Sequence, residues 1–111
     1  MSGSQEGGGI RFRVSDVYEV PFRGTMVRLK LLQGEASMKA LRPGRSLWLA
    51  PAGGEGRRVA IQDLGVTSGR ARQDRLDQTR ELDVLISAED AGSGPPVRIG
   101  WEARPHDEER R

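Results

Sequence analysis

Short runs of alternating apolar and polar residues, broken by glycine and proline, constrain this chain more than any other feature. Val27, Leu29 and Leu31 alternate with Arg28 and Lys30. Leu47 and Leu49 flank Trp48, and Val59 and Ile61 alternate with Arg58, Ala60 and Gln62. Leu82, Val84 and Ile86 alternate with Asp83, Leu85 and Ser87, and Val97, Ile99 and Trp101 with Arg98, Gly100 and Glu102. Successive side chains of an extended strand point to opposite faces, so period two over such short runs predicts half-buried strands. Phe12 to Val20 makes a sixth. Turn chemistry falls between them: Pro21-Phe22-Arg23-Gly24, Pro43-Gly44, Gly53-Gly54-Glu55-Gly56 and Gly92-Ser93-Gly94-Pro95-Pro96.

Six such strands with one inside face predict an all-β fold, a small closed six-stranded barrel, because closure hides the edges that a small sheet would otherwise expose. The stretch Gly69 to Thr79 lacks an apolar stripe and reads as a long arginine-bearing loop. One residue resists the alternation. Simple phasing puts Asp16 on the inner face, so either a bulge near Ser15–Val17 re-phases the strand or Asp16 is buried and accepts backbone hydrogen bonds. Trp101 shares the face of Val97 and Ile99 and is expected in the core.

The chain has 111 residues, which is one domain's worth. Residues 1–9 are Gly/Ser-rich and residues 104–111 are charged, so both ends read as disordered tails around a folded part at 10–103. No basic region followed by an apolar one opens the chain, and no apolar run approaches the ~20 residues needed to span a bilayer. With no cysteine, disulfides and thiolate metal sites are excluded. The expectation is a soluble, cytoplasmic protein with no membrane contact.

Of the 18 basic residues only Lys30 and Lys39 are lysines, leaving sixteen arginines. That bias fits the codon composition of a GC-rich genome, or recognition of phosphate by the guanidinium fork. A net charge of +2 argues against a tight non-specific nucleic-acid binder. Catalysis finds little support. His106 is the only histidine and falls in the expected tail, there is no cysteine nucleophile, and none of the acids is singled out. No Gly-x-x-x-x-Gly-Lys-Ser/Thr loop occurs, so no nucleoside triphosphate is expected; the glycines at 53, 54 and 56 read as a hairpin turn. No enzyme, metal or cofactor is expected.

The run Val14-Ser15-Asp16-Val17-Tyr18-Glu19-Val20-Pro21-Phe22-Arg23-Gly24-Thr25-Met26-Val27 resembles the opening of the second domain of elongation factor Tu and related translational GTPases, where Asp-Val-Phe is followed by Gly-Arg-Gly-Thr-Val-Val. Phe22 stands where that family has its first glycine. Leu41 to Leu49, Val59 to Gln62, Leu76 to Ile86 and Pro96 to Ala103 resemble its later strands in order, so the likeness spans residues 12 to 103. Three details differ: the segment between Gly34 and Leu41 is longer than in elongation factor Tu, Arg80-Glu81 replaces the family's Gly-Asp, and Ser87 replaces its arginine. The resemblance implies a Greek-key barrel of the translation-factor domain 2 type, here without a GTPase domain. It implies contact with the aminoacyl end of tRNA or with ribosomal RNA. Gln62 falls where elongation factor Tu has a glutamate beside the terminal adenosine, and Leu85 near an apolar residue of that pocket.

Two readings follow. As an RNA-binding module the chain would use Arg57, Arg58, Arg70, Arg72 and Arg75, on or beside loops that can share one barrel end, with Gln62 and Leu85. The plainer reading of these arginines and of Gln62 is as solvated loop or strand residues. As a protein-interaction or self-associating module it would use Phe22, Arg23, Met26 and Trp48, covering the side that the family buries against its GTPase domain. Trp48 points outward and suits a stacked base, a protein partner or a covering loop.

Overall fold

The computed structural model describes residues 10–34, 41, 43–64, 74, 76–92 and 94–106. Seven strands form: β1 (Arg11–Val20), β2 (Gly24–Gln33), β3 (Ser46–Ala50), β4 (Arg57–Ala60), β5 (Asp63–Leu64), β6 (Glu81–Ser87) and β7 (Glu102–His106). They build one sheet in the order β4-β3-β7-β1-β2-β6-β5, with every neighbouring pair antiparallel. The apolar alternation sets which face is buried. Phe12, Val14, Val27, Leu29, Leu47, Leu49, Val59, Val84 and Ile86 belong to one core on one side of the sheet.

The expected six-stranded closed barrel is corrected in two respects. Among the described residues there are seven strands, and the sheet is open, with β4 and β5 as its edges. Yet only Ile61 and Gln62 separate those edges in the chain. The Ile61 N–H still donates to the Arg45 carbonyl, just before β3, at 2.8 Å, whereas the next N–H, of Gln62, donates to the Leu85 carbonyl of β6 at 2.8 Å. The segment thus changes partner within one residue. The change of partner ends the β4 ladder and starts the β5 one. Edge backbone groups are managed by brevity, since β4 has four residues and β5 two.

The bulge expected near Ser15 is present. Val14 pairs with Leu29 and Asp16 with Arg28, so Ser15 is the extra residue. Asp16 thereby joins the outer face, where its Oδ1 accepts the Val17 N–H at 2.9 Å, and Val17 turns inward opposite Val27. Gly24 opens β2 at φ 144°, and a Cβ there would run into the backbone carbonyl of Ile86. Glycine at this position is what lets β2 and β6 meet at their ends.

Three further expectations change. Residues 97–101 are not a strand: Trp101 donates to the Arg98 carbonyl at 3.2 Å and Gly100 has φ 100°, which makes a turn. Trp101 is buried as expected, but Ile99 is 66% exposed. The last strand lies later, at Glu102–His106, so residues 104–106 belong to the sheet rather than to a tail. The strand accommodates Pro105. That residue lies beyond the last β1–β7 pair, Phe12 with Ala103, where β7 has a ladder neighbour only on the β3 side, a position that tolerates a proline. Finally, residues 74 and 76–79 are helical, and Leu76 is buried in the core. A single leucine over one turn presents no stripe from which a helix could be read.

Candidate nucleic-acid interface

The outer face of β3, β4 and β7 collects aromatic and basic side chains. Leu47 and Leu49 point inward, so Ser46, Trp48 and Ala50 point outward. Register places Trp48 directly opposite Arg58 on β4 and opposite Arg104 on β7. Directly opposed residues have Cβ atoms about 5 Å apart, so the side chains of Arg58 and Arg104 leave the sheet on either side of the indole. His106 pairs with Ser46, and its ring lies 6.0 Å from the Trp48 ring at 31°. The same face carries Glu102, which accepts from Arg11 Nε at 3.2 Å.

The turn after β3 shapes one wall. Gly54 donates to the Pro51 carbonyl at 3.1 Å and Gly53 adopts φ 71°. A Cβ on Gly56 would lie 2.7 Å from the Trp48 Cε2, so only glycine lets the half-buried indole rest over the turn. The result is a groove of about 670 Å³ bordered by Trp48, Pro51, Gly54, Glu55, Glu102 and Arg104.

The residues singled out in the sequence do not all meet here. Arg58 does. Arg57 faces the other way, opposite Leu49, and its guanidinium runs beneath Gly94. Gln62 is exposed at the point where the chain changes partner. Leu85 is 1% exposed, on the face of β6 opposite the core, beside Met26, which is 9% exposed. Neither residue therefore offers a surface to a ligand or partner; the Gln62 N–H donates to the Leu85 carbonyl, so those two meet through their backbones. Arg70, Arg72 and Arg75 lie outside the described residues. Arg23 holds Asp63 at 3.0 Å, tying the β1–β2 turn to β5, and Phe22 is fully exposed.

Arg104 and His106 fall outside the expected site because the charged run 104–111 reads as a tail. The signal was there: Ala103, Arg104, Pro105 and His106 continue the alternation of Trp101 and Glu102, and the structure buries Ala103 while exposing Arg104. Among the described residues, no group of three His, Cys, Asp or Glu is placed to hold a metal, and no helix is long and apolar enough to cross a membrane.

No protein-family model, no curated protein and no solved structure matches this chain.

Proposed function

We propose that this chain is a non-catalytic module that binds single-stranded RNA across the outer face of β3, β4 and β7. On this reading it acts in the cytoplasm as a free-standing relative of the second domain of elongation factor Tu-like factors, and its partners are exposed ends or loops of tRNA or ribosomal RNA. The observation that carries the proposal is the cross-strand row Arg58, Trp48, Arg104. Sequence-tolerant recognition of single strands needs an aromatic ring for a base and cations for the backbone that follows it, and this row supplies both within two strand spacings. The sequence resemblance across residues 12 to 103 supports the choice of RNA by analogy of fold.

Charge orients the ligand. Glu55 borders the groove at the glycine turn, and a phosphate beside it would be repelled. The base therefore enters over the turn and stacks on Trp48, while the sugar-phosphate runs past Arg58 and Arg104. One stacked base contributes about 1–3 kcal/mol, and two phosphate contacts on a single strand give a log–log salt slope of about −1.4. With net charge near zero, dissociation constants of about 10⁻⁶ to 10⁻⁴ M are expected.

Titration of the chain with tRNA and ribosomal RNA fragments at low salt, read by tryptophan emission, tests the proposal. Trp101 is buried, so quenching reports Trp48. Saturable quenching that weakens linearly in log salt is expected. No binding at low salt ends the proposal.

A further inference from the structure

The β1–β2 turn combines two costs at one residue. Arg23 donates to the Val20 carbonyl at 3.0 Å, which closes a turn with Pro21 and Phe22 at its centre. Phe22 sits there at φ 65°, in the left-handed region where such a turn favours glycine and a bulky residue is strained. Its ring gains nothing in return within this chain, because Phe22 is fully solvent-exposed. Strain and an exposed aromatic at the same position mark a functional contact.

A cleft of about 700 Å³ opens beside this turn, walled by Val17, Val20, Ile86, Pro96 and Val97. Phe22 borders the cleft but does not fill it, since its ring is wholly exposed. Knob and hole thus lie side by side on one patch. The rim carries one charge of each sign, Glu19 and Arg23. Arg23 spends one N–H on Asp63, and a guanidinium has five.

We propose that this patch is the interface of a homodimer in which Phe22 of each copy seats in the cleft of the other. A two-fold interface places the same patch on both sides, so it must be self-complementary. This patch is so in shape, with a ring beside an apolar cleft, and in charge, because the rotation brings Glu19 of one copy to Arg23 of its partner. A patch of single charge sign would repel its own copy. The dimer leaves the Trp48 face unused, so it stands independently of the RNA reading.

Sedimentation of the full chain tests it. The weight-average mass should rise reversibly from 12.2 kDa toward twice that value as concentration increases. Phe22→Gly removes the knob and suits the backbone, so it should weaken association by roughly thirtyfold or more, as loss of a central aromatic anchor does, without lowering the melting temperature. Glu19→Arg, on an exposed strand position, should weaken association as well and serves if the first variant folds poorly. A mass that stays monomeric up to about 1 mM, a range that would reveal even weak affinity, overturns the proposal. So does association that both variants leave unchanged.

Discussion

The two halves of the sheet treat their outward residues in opposite ways. Across β1, β2 and β6 the outer face is internally satisfied. Arg28 Nε donates to Asp83 Oδ1 at 2.9 Å and its Nη2 to Oδ2 at 3.4 Å, with Asp16 across the strand from Arg28. The hydrogen bond that Arg28 donates to Asp83, and then the charge of that carboxylate, raise Arg28 above the ordinary arginine value. One register step away, Met26 and Leu85 are buried side by side. Across β3, β4 and β7 the outer face is instead a half-buried tryptophan between two arginines over a glycine turn. The strands are built from the same alternation. What differs is the kind of residue that each strand turns outward: an ion pair and buried apolar groups in the first half, a tryptophan flanked across the strands by arginines in the second.

That contrast can be broken at several points. The largest effect is expected at Leu85, where truncation to alanine opens a cavity in a fully packed site. Leu85→Ala should cost about 3 kcal/mol in chemical denaturation while the folded fraction binds RNA unchanged; weakened binding at unchanged stability would move the site to the other half. Next comes Asp83→Ala, which leaves the Arg28 guanidinium partly buried without its carboxylate. About 2 kcal/mol of stability should be lost, less than for a fully buried pair because Arg28 is about one-third exposed. The sign of the pH dependence follows from Arg28. A cation whose pKa is raised by folding contributes fully below its unfolded pKa, and the contribution fades only as pH rises through the folded one. For an arginine both lie far into alkali, so Arg28 should add no slope to the difference between wild type and D83A from about pH 6 to 9. A slope there would show that another group is coupled to the pair.

Trp48→Ala sharpens the comparison from the other side. Affinity for single-stranded RNA should fall about tenfold or more, as loss of one stacked base predicts, with stability lowered by only about 1 kcal/mol because the indole is half-buried. Equal loss of stability and binding would make Trp48 a packing residue. The smallest effect is expected from Arg104→Gln, a few-fold loss spread evenly over RNA sequences, with the salt slope reduced by about 0.7. An unchanged slope would remove Arg104 from the phosphate path.

Much of the fold is legible along the chain. The inward residues of β2, β3, β4 and β6 follow from period two, and the bulge at Ser15 follows from Asp16 being out of phase. Other features escape for physical reasons. The two-residue β5 is too short to alternate. The charged run from Arg104 reads as a tail, and whether it can hold a strand with Pro105 in it depends on which neighbours flank β7, a property of the sheet. Leu76 is core although its own turn is polar, since the surface that buries it comes from elsewhere. Leu85 and Met26 look solvent-facing by phase, yet pairing across β2 and β6 places them together and buried.

Taken by itself, the order of residues determined the inward or outward direction of each side chain in most strands, because that direction depends only on the local pleat. It did not determine which outward residues become neighbours. Trp48 meets Arg58 across a nearby turn, but it meets Arg104 only because β7 returns to lie between β3 and β1. Register between segments distant in sequence is set by the fit of the shared core, and a slip of one residue would turn every outward side chain of a strand to the core. The tertiary structure alone therefore decided that a tryptophan and two arginines form one surface, and that Leu85 does not.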